Sequence, residues 1–342
     1  MIGFKAVRPA SVRLASLLQR AIVGAALAGF AFGAFAQNAD NFPSRPIKFV
    51  IPYGPGGATD IVARHLAARL GDVIGQPIIV ENRAGASGNI ALEMVAKSAP
   101  DGYTLLVGNV STNAINESTF AHVLKIKPSR DLVGITRLVE IPHVVAASTA
   151  FPANNVKELI EYARAHPGKI NYASAGLGSY PQLDMMRLAA ATKTSMTHVP
   201  YKNGASGMVT ALMTNECQVA FVNLSSTISQ IKAGRVKVLA DVAPERVPEL
   251  PNIPTMAEQG YAGIGTNAWQ ALFAPAGTPK PIIDKLFNAV TTVMNRPDVK
   301  EAMERAMMTI SLSKSPDEFN EFVQSETRKW SDFIRENNVR ID

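Results

Sequence analysis

Two glycine-bearing stretches hold the residue types that could do chemistry, Pro52-Tyr-Gly-Pro-Gly-Gly-Ala-Thr59 and Gly176-Leu-Gly-Ser-Tyr-Pro181. Each follows a short apolar run, Ile47 to Ile51 and Ile170 to Ala173, and each leads into apolar residues at helical spacing. A loop that ends a buried strand and opens a helix presents unpaired N–H groups and a partial positive charge. Glycine lets the backbone approach an anion with no Cβ in the way. The two loops therefore suggest two anion cradles that could hold a small carboxylate without lysine or arginine. The alternative is that these glycines only make tight turns.

Other chemistries find less footing. Gly176-x-Gly178-x-x-Pro181 lacks the third glycine of a dinucleotide fingerprint, and after Asp184 the next acid is Glu216. Neither loop carries the Gly-Lys-Ser/Thr of a phosphate-binding loop. Ser179 does not sit in a Gly-x-Ser-x-Gly elbow. Asp60 could be a catalytic carboxylate or a first-turn acid bracing its loop. His198 could be a base or a packed or hinge histidine, and Cys217 reads as a buried thiol with no evident activator. His65, His122, His143, His166 and His198 show no metal-ligand spacing, and a lone cysteine excludes an internal disulfide and a thiolate cluster. No cofactor or metal is called for, and the chain reads as a non-enzyme.

The chain's start reads as an address. Lys5, Arg8, Arg13 and Arg20 precede an apolar run from Ala21 to Phe35 that closes on Ala34-Phe-Ala36. That run falls short of the roughly 20 apolar residues a membrane span needs. Residues 1–36 are expected to be a cleaved signal peptide, which places the protein in the periplasm. The full chain has 342 residues, with 34 Lys and Arg against 28 Asp and Glu. Without the leader the balance is 30 against 28, a net of +2, and a nucleic-acid partner loses its electrostatic support. An apolar share of 47% excludes a disordered chain.

The elements that must position the loops alternate between strand and helix. Strands are expected at 47–51, 78–80 and 103–107, with helices opening near Thr59 and Ile90 between them: a βαβαβ pattern that predicts a parallel sheet covered by helices. The grammar repeats with helices over 156–165, 181–191, 207–213 and 226–233, and strands at 170–173, 197–199, 218–222 and 236–240. Thr255-x-x-Glu258 and Ser315-x-x-Glu318 are capping boxes that predict helix starts, with Pro279 and Pro316 at first helical positions. In the last helix Phe319, Phe322, Val323, Trp330, Phe333 and Ile334 predict a core-facing stripe.

Arg45-Pro-Ile-Lys-Phe-Val-Ile-Pro-Tyr-Gly-Pro-Gly-Gly-Ala-Thr-Asp60 resembles the opening of the Bug family, the TctC-like extracytoplasmic receptors of tripartite tricarboxylate transporters. The resemblance continues in order through Val80 to Gly88, Pro100 to Leu106, Pro167 to Ser174, His198 to Gly204, Ile231 to Arg235, Leu250 to Thr255 and Leu272 to Pro279. It implies a type II periplasmic-binding-protein fold: two α/β lobes with a hinge and a central ligand cleft. Lobe one would be 43–143 plus 243–342, and lobe two 144–242. The implied ligand contacts are Tyr53, Pro55, Gly56, Gly57, Ala58 and Asp60 in the first loop. The second would give Ala175, Gly176, Gly178, Ser179 and Tyr180. Gly85, Ala86 and the stretch Asn109 to Asn113 would line the same cleft, with Ser111, Thr112 and Asn113 as side-chain partners. Asn223 and Asp241 are further candidates. Asp241 could repel a dianion or bind an amino group, or point away and cap a turn.

The implied role is a monomeric receptor that captures a small organic anion and delivers it to membrane transporter subunits. Candidate ligands are a dicarboxylate, tricarboxylate, acidic amino acid or aromatic acid; Tyr53 and Tyr180 could stack the last. Two other classes stay open: a ligand sensor signalling to a membrane kinase, and a secreted carboxylate-metabolising enzyme.

Overall fold

β1 (Ile47–Ile51) is buried except for half-buried Lys48, as a mostly apolar strand requires in a sheet covered on both faces. The structure is a computed structural model that describes residues 41–337 and 339. The signal peptide expected over 1–36 lies outside the described residues. Two compact units divide at Ser44 and Arg45; of the first, only residues 41–44 are described. Among the described residues no helix is long and apolar enough to cross a membrane.

β2 (Ile78–Asn82) and β3 (Thr104–Asn109) flank β1 as parallel neighbours, joined through α1 (Ala58–Ile74) and α2 (Asn89–Ala96). Val62, Leu66, Leu70 and Ile74 give α1 one buried stripe, and Gly75 ends it in the left-handed conformation, its N–H donating to the Gly71 carbonyl. Two single-turn helices follow, α3 (Asn116–Thr119) and α4 (Pro128–Asp131).

The sheet departs from the all-parallel expectation. β4 (Leu132–Ile141), β10 (Ala268–Pro275) and the edge strand β11 (Thr309–Ile310) extend it in the order β11-β4-β10-β3-β1-β2, and all three added pairings are antiparallel. β10 inserts between β3 and β4 although it lies far along the chain, a pairing no local pattern announces.

The second sheet has the order β7-β6-β8-β5-β9. β6 (Asn171–Ser174) runs parallel to β7 (Thr197–Pro200) and β8 (Val219–Asn223), and β5 (His143–Ser148) runs antiparallel to β8 and β9 (Val236–Asp241). Its helices are α5 (Val156–Ala165), α6 (Tyr180–Thr192), α7 (Ala205–Met213) and α8 (Leu224–Lys232). Alternation along β5 sends Val145 into one core with Leu159, Leu188 and Phe221, and Val144 into the opposite one with Leu212 and Val222.

Chain returning to the first sheet forms α9 (Lys280–Met294), α10 (Pro297–Arg305) and α11 (Pro316–Glu336). Ser315 caps α11 by accepting the Glu318 N–H at 3.1 Å. Phe319, Val323, Trp330 and Ile334 are buried in the first core with Val50, Leu106, Trp269 and Phe273, as the stripe predicted. The Thr255 box also closes, with Glu258 N–H on Thr255 Oγ1 at 3.0 Å and Thr255 N–H on Glu258 Oε2 at 2.7 Å. No helix grows from it: the chain passes through turns, with left-handed Gly260 and Gly263 close behind.

Candidate binding site at converging helix N-termini

The carboxyl ends of β1, β3, β6 and β8, with the loop after β7, meet at one cavity. It is lined by Tyr53, Gly54, Gly57, Ala58, Thr59, Asp60, Asn109, Ala175, Tyr180, Pro181, Gly204, Ala205, Met208 and Asn223. Strand ends are where ligands bind in open α/β sheets. The cavity is narrow, with a volume of about 30 Å³. The chain crosses from the first sheet to the second through Pro142 alone, and returns between Asp241 and Ala268.

Four helices point their amino ends at this space. α1 opens at Gly57, α6 at Ser179, α7 at Gly204 and α8 at Asn223, and none of these four residues caps its helix with its own side chain. First-turn N–H groups have no acceptor inside a helix, and each such end carries roughly half a positive charge. Among the described residues no Lys or Arg lines the cavity. Its one charged lining group is Asp60, whose carboxylate is already engaged. Asp60 accepts from Gly56 N–H at 3.0 Å, Arg64 Nε at 3.0 Å and Asn82 Nδ2 at 3.0 Å. Burial works to raise its pKa, but Arg64, Gly56 and Asn82 together hold it below the ordinary value. Asp60 thus braces the first glycine loop.

Both tyrosines are buried and neutral. Burial pushes Tyr53 up to about 12, against hydrogen bonding to Asn109 and Ser111, and lifts Tyr180 well above its ordinary value. Thr59 donates its hydroxyl to Gln270 Oε1 at 2.7 Å, which ties the start of α1 to β10.

Of the residues expected at the cleft, Tyr53, Gly57, Ala58, Asp60, Ala175, Tyr180 and Asn223 line this cavity, as does Asn109. Several others support it from behind. Gly56 N–H is held by Asp60, and Pro55 beside it is exposed and does not line the cavity. Gly176 N–H donates to Ser174 Oγ at 3.2 Å, Gly178 N–H to Gln182 Oε1 at 2.6 Å, and Ser179 Oγ to the Gly176 carbonyl at 2.7 Å. The second loop therefore turns these groups inward instead of offering them to the cavity. Ser111 Oγ accepts the Tyr180 N–H at 3.1 Å, and Thr112 binds Asn109 and Asn113. Asn113 is buried, and its Nδ2 has no partner among the described residues. Gly85 and Ala86 lie off the cavity, where Ala86 borders a separate surface groove with Ile90 and Met94.

Asp241 needs a correction: it does not line the cavity. Its carboxylate accepts from Ala243 N–H at 3.0 Å and Val247 N–H at 2.8 Å, so it caps the turn after β9. His198 packs, as one of its two readings had it. It stacks on Tyr172 and sets Nε2 2.6 Å from Ser174 Oγ, and burial pushes its pKa down to about 4.

Gly54, Thr59, Pro181, Gly204, Ala205 and Met208 line the cavity without having been singled out. The available signal for the last three was the strand, loop and helix grammar around Tyr201-Lys-Asn-Gly204. Close approach made it structural: a Cβ on Gly54 would come within 3.2 Å of Asn203 Cβ, and Gly204 takes a φ of +69° against the Tyr53 ring.

Comparison with known proteins gives a consistent result. A family model described as the tripartite tricarboxylate transporter family receptor, TctC, matches residues 62–339. The protein BugT of Bordetella pertussis is 32% identical over 304 residues, covering 89% of this chain and 93% of that one. The structure of MatC from Rhodopseudomonas palustris with bound malate is 33% identical at a TM-score of 0.81, covering 85% of this chain and 99% of that one. A second R. palustris protein, solved with adipate, is 30% identical at a TM-score of 0.82, covering 86% and 98%.

Proposed function

Because this chain belongs to the TctC family of tripartite tricarboxylate transporter receptors, we propose that it is a periplasmic receptor that closes on a small organic carboxylate and hands it to membrane transporter subunits. In this reading the expected lobes, residues 43–143 with 243–342 and residues 144–242, are adjusted so that His143 and the stretch 243–256 go with the second sheet, whose cores hold Val247 and Met256; the crossings at Pro142 and ahead of Ala268 form the hinge. The observation that carries the reading is four helix N-termini, uncapped by their own side chains, aimed at one cavity whose lining, among the described residues, contains no Lys or Arg. All four bring positive potential, while the first-turn N–H donors come from α1 and α7: Ser111 Oγ holds the Tyr180 N–H of α6, Pro181 has none, and the Pro142 carbonyl holds the Leu224 N–H of α8.

α1 would take one carboxylate through the N–H groups of Ala58 and Thr59. α7, entering through Gly204 and Ala205, faces it from the other lobe. Asp60 serves the loop and not the ligand, since its oxygens are occupied. Asn109 and Asn223 offer amides to a second polar end. Nothing in this arrangement asks for covalent chemistry, so receptor and not catalyst is the reading it supports. Malate and adipate, bound by the two relatives, fit the same recognition.

Thermal unfolding against malate, succinate, adipate, citrate, aspartate and aromatic acids tests this. A ligand at 100 times its Kd stabilises the folded state by about 2.7 kcal/mol. A rise in Tm with one or more acids supports the carboxylate reading. Rises with neutral or cationic compounds alone overturn it.

A further inference from the structure

Gly54, Gly57, Ala58, Ala175, Gly204 and Ala205 present little side chain, and Met208 is unbranched and adaptable. The Tyr53 hydroxyl is held within the first sheet's own loops, by Asn109 Oδ1 at a long 3.4 Å and by Ser111. Tyr180 differs. Its N–H donates to Ser111 Oγ at 3.1 Å, which pins it to the first sheet's side of the cleft. Its hydroxyl lies 2.5 Å from His143 Nε2, at the first residue of β5 beyond the Pro142 crossing.

The direction of that bond follows from its neighbour. His143 Nδ1 is 3.0 Å from the Ile141 carbonyl, which can only accept. Nδ1 therefore carries the proton, Nε2 is the acceptor, and the Tyr180 hydroxyl donates to it. Burial keeps the imidazole neutral by pushing its pKa down to about 4. The rings also meet edge to face, with centroids 4.8 Å apart. Donating to His143, the hydroxyl has no proton left for a ligand, and what remains for the cleft is an immobile ring. Rotating that ring away would break a buried hydrogen bond and open the core that Tyr180 shares with Leu183 and Trp269.

We propose that Tyr180 is the length stop of the cleft, the wall that limits how long a carboxylate the closed protein accepts, and that His143 is its positioning residue. The proposal rests on the carboxylate reading above and goes beyond it by naming what sets ligand size.

Titration calorimetry with succinate, glutarate, adipate and pimelate tests it on the wild type, Tyr180→Ala, His143→Leu and His143→Gln. Removing the ring is expected to move the preferred diacid to a longer one. Each methylene newly buried is worth about fourfold in affinity, so two give about a fifteenfold change in the long-to-short ratio. His143→Leu keeps the ring but frees its hydroxyl, and is expected to move the ratio the same way by less. His143→Gln keeps an acceptor near Nε2 and is expected to restore the wild-type order, which a merely structural role for His143 would not require. A folded Tyr180→Ala protein with an unchanged length preference overturns the proposal. If that variant does not fold, identical preferences in wild type, His143→Leu and His143→Gln overturn it instead. A wild type that binds none of the four acids, nor any acid in the thermal panel, brings down the carboxylate reading and the length stop with it.

Discussion

Asp60 is a carboxylate placed where an anion is meant to bind, and its three partners resolve the conflict. With Gly56, Arg64 and Asn82 on its oxygens it stiffens the glycine loop. Asp60→Ala is expected to cost about 1–3 kcal/mol at pH 7, read by urea unfolding, because it removes the charge-assisted hydrogen bonds that the buried carboxylate accepts. The pH dependence has a definite sign. A carboxyl whose folded pKa is lowered stabilises the fold above its unfolded value, and loses that contribution as pH falls through the folded value. The stability gap between wild type and Asp60→Asn should therefore narrow on acidification below about pH 4. Cys217 carries a second expectation at this scale. It is fully buried, and burial raises its thiol pKa. A thiol reagent should leave the native protein unmodified and react fully only in denaturant.

Loops after β1, β2 and β3 converge on Gly88, and their packing gives the sharpest expectation for an element. Gly88 has a φ of +89°, and a Cβ there would lie 2.6 Å from Thr112 Cγ2 and 3.0 Å from Pro52 Cβ. Gly88→Ala should destabilise by about 1–3 kcal/mol through strain and overpacking. Gly56→Ala, at a φ of +82° with nothing within 4 Å, adds backbone strain alone and should lower Tm less. Such loops were legible in the sequence because glycine and proline punctuate local structure, and so was the strand and helix alternation they separate. β4, β5 and β10 were not legible as sheet members. Their partners are non-local, as in Leu272 of β10 beside both Val107 and Thr136. The Thr255 box shows the converse: a local signal satisfied in full, yet with no helix behind it because Gly260 and Gly263 follow. At the site, the glycine pairs marked two helix starts, while the single Gly204 marked a third too faintly. The facing of Asp241 was undecidable from sequence, since it depends on where the Val247 N–H arrives.

At the scale of the molecule, α6 grips both crossings between the sheets with residues one turn apart. Tyr180 holds His143 beside the outward crossing, and Asp184 holds Thr266 on the return, through its N–H at 2.9 Å and its hydroxyl at 2.8 Å. Asp184 is fully buried, and burial raises its pKa to about 7 against the pull of Thr266, Arg187 at 3.8 Å and Lys329. The folded protein therefore holds a proton between about pH 4 and 7 that the unfolded chain has released. Stability from this group is greatest at the acidic end of that window and declines as pH rises through it. Asp184→Asn keeps an acceptor for the Thr266 N–H and cannot ionise. Its unfolding free energy should lack this decline, so that wild type gains on the variant as pH is lowered from 8 to 5. Urea titrations at both pH values read the difference directly. Parallel behaviour of the two proteins would mean that Asp184 is ionised throughout this range, with Arg187 and Thr266 together sustaining a charged clamp on the return crossing.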